Sequence, residues 1–505
     1  MSFPHRFLLR TAAVVGVVAL GVSLASCSSD EPTDTPAEGA DADATLRVGL
    51  RLEPTNLDIR HTSGAALEAI LADNIYQGLV TRTGEGEIVP ALATEWTESD
   101  DGLSYDFMLA EGVTFHNGGE LTPSDVVSSL QAVIDDDTYA SHGDLSMIDE
   151  ITATDTGVHI ALTEPYRNFL FVLTTPAGFV FDEGDDADLK TTANGTGPFV
   201  LDEWRQGDGL TLLRNDSYYG EPAGVAEVDV SYFADATAGV NAASGGDVDV
   251  LTPVEADLVP QLEGANGFEI VTGRTTDKYI LGFNNTAAPL DDVRVREALR
   301  LAINHDALVE TIGAGATQYG PIPELDPGYE DLSEVAPYDT EKAKELLAEA
   351  GVSDLELTLT IPNVYGTTAS SFLVSAFADI GVTLDVKPVE FSTWLQDVYT
   401  NGDYELSFVN HVEPRDVNIF TDPDYYFHYD NAKVQELYDE AMTVTNEEES
   451  NVLLAEVGRQ VAEDHPVDWL YTAEQLTAIA PGVENFPADS LNSRLPLAGV
   501  TVTAQ

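Results

Sequence analysis

The spacing of apolar residues changes along the chain and predicts strands in some segments and helices in others. Near the start, Leu46, Val48 and Leu50 alternate with polar or small residues, as in a half-buried strand. From Glu68 to Leu79, apolar residues recur at the three- to four-residue spacing of an amphipathic helix. Both patterns recur further along, so we expect a fold that contains helices and strands together.

Short alternating segments in the first half predict two hairpins. The segments ITATDTGVHIAL, residues 151–162, and GTGPFVLDEWRQGDGLTLLRN, residues 195–215, each place glycine between two strand patterns. Between Leu121 and Val126, Thr122 precedes Pro123, which is the order expected where a hydroxyl caps a helix and proline takes its first position. A helix is therefore predicted to begin at Pro123.

Between residues 291 and 410 the two patterns alternate regularly. Helices are predicted to begin at Asp291 or Asp292 and at Asp339 or Thr340, whose side chains can cap a first turn. Strand, helix, strand, helix and strand patterns then follow at residues 355–361, 370–380, 382–389, 392–399 and 404–410. This alternation indicates an α/β fold with a largely parallel sheet.

The first 44 residues have the composition of a targeting segment and a spacer. Arg6 and Arg10 precede an uncharged run that is short for a membrane-spanning helix, and the tetrapeptide Leu-Ala-Ser-Cys ends it at Cys27. This tetrapeptide matches the lipobox of bacterial lipoproteins. We therefore expect a lipoprotein signal peptide at 1–26, acylation of Cys27, and a disordered acidic linker at 27–44.

Charge and length limit what the chain can do. Its 505 residues include 22 Lys and Arg against 88 Asp and Glu, which gives a net charge of −66. Such a charge repels phosphate backbones, so we expect no nucleic-acid partner. The length is too great for one hydrophobic core, and two or three domains are expected.

Five stretches of sequence, taken in order, are typical of one protein family. They are NIYQGLV with IVPALATEWTESDDGLSYDFMLAEGVTFHNGGELTPSDVVSSL, then GTGPFVLDEW, LLRNDSYYG, LGFNNTAAPLDDVRVREALRLAINHDALV and YDTEKAKELLAEAG. In sequence and order they resemble the family 5 extracellular solute-binding proteins. These are the peptide, oligopeptide and nickel receptors of bacterial ABC importers.

The resemblance implies a two-lobed periplasmic-binding-protein-like fold of type II, with an additional domain inserted in the first lobe. Lobe I is expected at residues 45–85, 193–272 and 476–505, the inserted domain at 86–192, and lobe II at 273–475. Glycine and polar residues make TTANGTGP and VTGRTTDK, residues 191–198 and 271–278, the expected crossings between these parts.

The resemblance implies that the protein binds a solute reversibly and catalyses no reaction on it. A small peptide or similar polar solute would be enclosed in the interlobe cleft and delivered to a membrane permease. The receptor would be a monomer tethered to the outer face of the cell membrane, without a cofactor, a metal or catalytic residues. A nickel-chelate or other non-peptide receptor of the same family is an alternative. A secreted carboxylate-dependent hydrolase is a more distant one.

The loop at residues 409–429 supplies most of the candidate ligand contacts. In peptide-binding relatives an acidic residue at this place pairs with the peptide ammonium group, and here Glu413 and Asp416 both fit. Arg415 is expected either to bind a ligand carboxylate or to pair with these two acidic neighbours. Tyr425 and Tyr426 are assigned to either the cleft or the core.

Five further residues complete the candidate set, each with a structural alternative. Trp394 is expected either in the cleft or in the core. Asn284 and Asn285 are expected to form hydrogen bonds either with the ligand or within a turn. Tyr76 is expected either to pack in the fold or to contact the ligand. His411, like His61, is a candidate for contact with a metal chelate. Isolated histidines are poor evidence for a metal site, however, and none is predicted.

Overall fold

The computed structural model describes residues 39–262, 267–489 and 494–503. The predicted signal peptide, Cys27 and residues 28–38 of the predicted linker lie outside these ranges. The end of that linker is corrected, because Ala40 forms a bridge with Thr503 and the Asp41 amide donates to the Val502 carbonyl at 2.8 Å. Residues 39–44 therefore pack against the C-terminal segment as part of the folded body.

The strands of the described residues lie in one large sheet and several small ones. They are β1 (Thr45–Leu50), β2 (Val80–Arg82), β3 (Ile88–Pro90), β4 (Ala93–Glu98), β5 (Ser104–Leu109), β6 (Ile148–Ala153), β7 (Gly157–Leu162), β8 (Phe199–Arg205), β9 (Gly209–Arg214), β10 (Glu227–Tyr232), β11 (Val250–Thr252), β12 (Glu269–Phe283), β13 (Ala316–Thr317), β14 (Glu356–Pro362), β15 (Thr383–Val389), β16 (Leu406–His411), β17 (Val467–Ile479), β18 (Val483–Glu484) and β19 (Thr501–Val502).

The helices pack on both faces of the large sheet and on the small inserted sheet. They are α1 (Ala65–Leu71), α2 (Pro123–Asp135), α3 (Phe169–Val172), α4 (Ala236–Gly245), α5 (Val259–Leu262), α6 (Val293–Leu301), α7 (His305–Ile312), α8 (Thr340–Glu349), α9 (Thr367–Asp379), α10 (Phe391–Trp394), α11 (Ala432–Thr443) and α12 (Glu447–Asp464). None of these helices has the length and hydropathy that a membrane crossing requires within the described residues.

The large sheet runs through both lobes. Among the described residues it has eleven strands, in the order β15-β14-β16-β12-β17-β11-β1-β10-β9-β8, with β13 paired to β17. Pairing is parallel around β14 and around β1, whereas β12 and β17 run antiparallel to each other. The predicted α/β class is confirmed. The sheet is mixed rather than largely parallel, because β12 and β17 return through its centre.

The strands β12 and β17 carry the chain between the lobes. Their pairing is regular at one end, shifts register between Arg274 and Lys278, and resumes beyond Lys278. A register shift of this kind bends a strand pair locally. Closing motions need only a few residues that absorb the change in backbone dihedral angle. The predicted crossing at 271–278 contains this shift.

Separate hydrophobic clusters fill the parts of the molecule. In lobe I, one cluster joins β1, α1, β8 to β10 and the C-terminal residues Phe486, Leu495, Leu497 and Val500. In the inserted domain, another lies between the sheet β4-β5-β7-β6 and α2. Lobe II has two clusters on opposite faces of its sheet, one against α6 to α9 and the other against α10 to α12. The two lobes and the inserted domain therefore have hydrophobic cores of their own.

The local predictions in the second half and at Thr122 are confirmed. The backbone amide and hydroxyl of Thr122 donate to the Asp125 carboxylate at 2.8 and 2.7 Å, and α2 begins at the next residue. Asp292 and Asp339 accept from backbone amides at the starts of α6 and α8. The predicted helix at 392–399 is present as α10, followed by a wider π-helical turn at Leu395–Thr400.

The helix predicted from Glu68 to Leu79 is wrong in its second half. Helix α1 ends at Leu71, and Asp73 adopts a left-handed backbone with φ 61°. The Asn74 side chain donates to the Leu495 carbonyl at 2.8 Å and accepts from the Leu497 amide at 2.9 Å. These contacts with the C-terminal segment override the helical spacing, since tertiary context outweighs weak local propensity.

Candidate functional site

The loop after β16 is tied to the crossing strand β12 by a buried charge pair. The Lys278 ammonium lies 2.9 Å from the Asp416 carboxylate, and the two side chains are 2% and 9% exposed. Lys278 also donates to the carbonyls of Thr276 and Glu413, at 3.3 and 3.2 Å. Burial alone would raise the pKa of Asp416, but Lys278 and His411 lower it below its ordinary value. Asp416 therefore already has a cationic partner within the protein.

Arg415 faces the inserted domain rather than its acidic neighbours. Its guanidinium donates to the Asn168 side chain at 3.0 Å and lies 4.2 Å from the centre of the Phe171 ring. Its backbone has φ 56°, and its amide donates to the Asp326 carboxylate at 2.6 Å. A left-handed conformation at a non-glycine residue costs free energy and is typical of sites where orientation matters. The expected pairing of Arg415 with Glu413 and Asp416 is not formed.

Lobe I presents three charged residues toward this loop. Arg82, at the end of β2, lies 4.7 Å from the centre of the same Phe171 ring that Arg415 contacts. Arg494 is 7% exposed and donates to Thr81 at 2.7 Å and to Asp73. Burial and the Glu413 charge raise the pKa of Glu68, in α1, to about 7 despite the nearby Arg82 and Arg494.

We call this set the interlobe cluster, since its members come from all three parts of the fold. Its six residues are Glu68, Arg82 and Arg494 of lobe I, Phe171 of the inserted domain, and Glu413 and Arg415 of lobe II. Burial lowers the pKa of both Arg82 and Arg494 to about 10, so both remain cationic at neutral pH. The cluster therefore concentrates cationic charge in a chain whose net charge is −66.

Two cavities adjoin the interlobe cluster, among the residues that the structure describes. One of about 680 Å³ lies between residues 143–175 of the inserted domain and residues 413–419 of lobe II. The other, of about 460 Å³, is lined on one side by Trp96 and Glu447. Asn168, Phe171 and Arg415 line both cavities. Volumes of this size suit a small peptide or a similar polar molecule.

A polar pair in lobe II was missed by the sequence analysis. The Asn410 amide group donates to the Asp277 carboxylate at 3.3 Å, its backbone amide donates to the Tyr365 hydroxyl at 3.2 Å, and its side-chain oxygen is buried without a partner among the described residues. Burial raises the pKa of Asp277 to about 6. The signal available in the sequence was position, because Asn410 lies near the end of the strand that leads into the candidate loop, and Asp277 lies in the predicted crossing.

Several aromatic candidates lie in the core of lobe II. Trp394 is 4% exposed and donates to the Ser407 hydroxyl at 2.9 Å, and its ring contacts that of Tyr426. Tyr426 is 2% exposed and lies 3.1 Å from His411. Tyr425 is half-buried against Tyr426 and is therefore the more accessible of the two tyrosines. Of the alternatives left open, the structure places Trp394 and Tyr426 in the core.

The remaining candidates form hydrogen bonds with backbone groups. Asn284 donates to the carbonyls of Gly402 and Tyr404 at 3.1 and 3.0 Å, and Asn285 donates to three further carbonyls. Tyr76 is fully buried, and its hydroxyl accepts from the Asn194 amide at 3.3 Å. All three residues are placed in the fold rather than on the cleft surface.

The candidate histidines are bound to their own neighbours. His61 in lobe I lies 2.9 Å from Asp58 of the same turn, and His411 contacts Asp416 and Tyr426 in lobe II. Across the described ranges, no group of three His, Cys, Asp or Glu side chains is arranged to hold a metal ion.

Comparison with known proteins gives concordant results. The family model described as "Bacterial extracellular solute-binding proteins, family 5 Middle" matches residues 87–435. The oligopeptide-binding protein AppA of Bacillus subtilis (strain 168) is 24% identical, over 93% of this chain and 94% of its own length. Heme-binding protein A of Haemophilus influenzae is 30% identical over 55% of this chain, and the match spans 57% of that protein.

Solved structures show the same fold. The periplasmic binding protein DppA from Helicobacter pylori, determined in complex with the peptide STSA, superposes with a TM-score of 0.76. The match covers 92% of this chain and 98% of that one, at 22% sequence identity. The two-lobed architecture expected from the resemblance is thereby confirmed.

Proposed function

The chain belongs to the bacterial extracellular solute-binding proteins of family 5. On that premise, we propose that it captures a small peptide or similar polar solute between its lobes and delivers it to the permease of an ABC importer. Proteins of this family bind solutes, and their relatives are named for oligopeptide and heme. The observation that carries the proposal is the interlobe cluster, because Arg82 and Arg415, from different lobes, lie against Phe171 of the inserted domain.

Closure of the two lobes would allow the interlobe cluster to hold a solute. A solute that contacts Glu68, Arg82 or Arg494 on one side and Glu413 or Arg415 on the other is held fully only when the lobes meet. Removal of water then strengthens each polar contact, since the local dielectric falls. The shifted pairing of β12 with β17 provides the bend that this motion needs.

We propose that the protein releases its solute unchanged. In the interlobe cluster, Arg82 and Arg415 lie against the Phe171 ring, and Arg494 donates to Asp73 and Thr81. Orienting contacts of this kind suit a binding site, whereas a hydrolase needs a nucleophile or paired acid and base aimed at one bond.

The location of the receptor is part of the same proposal. Cys27 follows a signal-like segment and lies outside the described residues, so acylation there rests on the tetrapeptide alone. A lipid on Cys27 would hold the folded body at the outer face of the membrane, beside its permease, provided that more than one acyl chain is attached. Metabolic labelling with a fatty acid should mark the wild-type chain and leave Cys27→Ala unlabelled, and equal labelling of both would contradict the anchor.

One experiment tests the binding function directly. The full chain is purified from its host, and small molecules released by denaturation are identified by mass spectrometry. Each candidate is then titrated by calorimetry and recovered after a long incubation. We expect a solute that binds one to one and is recovered intact. Chemical conversion of the bound solute, or no binding by any released or supplied solute, would contradict the proposal.

A further inference from the structure

One short segment of the inserted domain holds that domain against lobe II. It consists of residues 166–171, which follow β7 and include the first turn of α3, and we call it the strap. Resting on the proposed function, we propose that the strap is a gate for solute exchange. It grips lobe II while a solute is held, and the solute enters or leaves when that grip is released.

Arg167 of the strap binds the C-terminal end of helix α11 in lobe II. Its backbone amide donates to the Met442 carbonyl and its guanidinium to the Thr445 carbonyl, each at 2.8 Å. The last carbonyls of a helix lack partners within the helix and carry partial negative charge, so a cation is favoured there. Glu98 of the inserted domain lies 3.5 Å from the same guanidinium and holds it from the other side.

The strap makes further contacts beside Arg167. The Asn168 side chain accepts from the Arg415 guanidinium at 3.0 Å, and that guanidinium lies 4.2 Å from the centre of the Phe171 ring. Tyr166 packs against the hydrophobic core of the inserted domain and also against that of lobe II. A few polar bonds and ring faces therefore join the two parts, as in interfaces that form and break.

The strap is fixed to its own domain, and that domain is fixed to lobe I. Phe169 and Leu170, in the middle of the strap, are buried in the core of the inserted domain. The Leu79 side chain of lobe I belongs to the same core, and the Val180 amide donates to the Gln77 carbonyl at 3.0 Å. The inserted domain therefore moves with lobe I, and the contacts that break on opening are those between the strap and lobe II.

The strap forms a wall of both cavities beside the interlobe cluster. Asn168 and Phe171 line the cavity of about 680 Å³ and the cavity of about 460 Å³, and Arg415 of lobe II lines both as well. A solute in either cavity is therefore bounded by the inserted domain and by lobe II together. Because the bonds from Arg167 join protein to protein, they stabilise the closed complex of every solute equally and slow the release of each by the same factor.

A reversible lock between the inserted domain and lobe II tests the gate. A Cβ added at Gly102, in the β4–β5 turn, would lie 2.9 Å from the methyl group of Thr445. The Cβ of Thr445 is one bond further, within the about 4.5 Å that a disulfide can span between Cβ atoms. The double variant Gly102→Cys/Thr445→Cys should therefore be locked when oxidised and free when reduced.

The controls follow from the cysteine content of the chain. Cys27 is its single cysteine, so Gly102→Cys and Thr445→Cys, made separately, retain Cys27 and cannot form the lock. Each full-length protein is loaded with a deuterated pool of di- to pentapeptides, oxidised, and diluted into the same pool without deuterium. Mass spectrometry then follows the labelled peptides that stay bound, before and after reduction, and verifies the disulfide.

We expect the oxidised double variant to retain its labelled peptides at least tenfold longer than the reduced one. When oxidised empty, it should take up peptides at least tenfold more slowly. The wild type and the two single variants should exchange peptides within twofold of the same rate in both redox states.

A second variant decides if the double variant does not fold, since Gly102 has φ 68° and a cysteine is strained there. Arg167→Met should speed the release of every peptide at least threefold, and by the same factor. Its control is Arg205→Met, at an arginine of lobe I that is bonded to Asp208 and Asp229, and it should change release less than twofold.

Equal exchange rates in the oxidised and reduced double variant, or unchanged release from Arg167→Met, would overturn the gate and leave the receptor function standing. If no peptide and no co-purified compound binds even the wild type, the proposed function fails and the gate fails with it. The two failures are therefore distinguishable.

Discussion

The ammonium of Lys278 lies 2.9 Å from the carboxylate of Asp416, with both side chains buried. Lys278 belongs to the crossing strand β12, and Asp416 to the loop that carries Glu413 and Arg415. The pair thus fixes the loop after β16 to the crossing strand β12. It also means that a ligand ammonium group would have to compete with a lysine already in place, which leaves Glu413 as the acidic candidate that faces lobe I.

This relationship predicts that Asp416→Ala destabilises the protein strongly. Lys278 would remain as a buried charge without its counter-charge, at a cost of about 3–5 kcal/mol in the free energy of unfolding. The double variant Lys278→Met/Asp416→Leu should recover most of that loss. Urea denaturation measures both. If Asp416→Ala kept its stability and lost only affinity, Asp416 would be a ligand contact instead.

The pair also has a predictable pH dependence. Because the pKa of Asp416 is lowered in the folded chain, its stabilising contribution is present above the ordinary carboxyl range. The contribution is lost as pH falls through the lowered pKa. Wild type and Asp416→Ala should therefore converge in stability in acid, because both then hold Lys278 without a counter-charge.

Arg167 connects the inserted domain to lobe II and should favour the closed form. Its backbone amide donates to the Met442 carbonyl and its guanidinium to the Thr445 carbonyl, each at 2.8 Å. Arg167→Ala removes the second bond, so we expect a larger radius of gyration and severalfold weaker binding of every solute alike. Arg459→Ala, at an exposed arginine of α12, is the control. A change in selectivity, rather than a uniform loss, would contradict the assignment.

Glu68 should make stability fall as pH rises toward neutrality. Burial and the Glu413 charge raise its pKa from 4.5 to about 7, so the folded chain holds the proton where the unfolded chain releases it. Between these values stability decreases with increasing pH, by about 3 kcal/mol in total. Glu68→Gln should remove that slope in a comparison of unfolding free energies from pH 4 to 8, and an unchanged slope would refute the role given to Glu68.

Trp394 should prove a core residue. Trp394→Phe removes its bond to Ser407 and part of a buried ring, and we expect a loss of about 1–3 kcal/mol in unfolding free energy. Solute affinity measured by calorimetry should stay within twofold. Normal stability with impaired solute binding would show instead that Trp394 lines the cleft.

Local features of the fold could be predicted because a few neighbouring residues determine them. The cap of α2 by Thr122 and Asp125 and the starts of α6 and α8 depend on side chains within one helical turn. The end of α1 could not be predicted, since Asn74 binds Leu495 and Leu497, more than 400 residues away along the chain.

In the candidate site, too, residues of one local segment could be predicted, whereas residues whose partners lie far along the chain could not. The loop at residues 409–429 does contribute Glu413 and Arg415 to the interlobe cluster. Arg494 was missed because its partner Asp73 lies 421 residues earlier. For Trp394 and Tyr76 the sequence left two assignments open, because an aromatic residue in an apolar segment has the same sequence pattern whether it lines a cleft or fills a core.

The central claim is that the lobes close around a solute and release it intact, and small-angle X-ray scattering tests the closure most directly. The full chain is measured after removal of bound solute by partial denaturation and refolding, and again with the co-purified solute restored. We predict a smaller radius of gyration with the solute and a return to the larger value when it is removed. An identical scattering profile in both states, at a solute concentration that calorimetry shows to be saturating, would contradict the account.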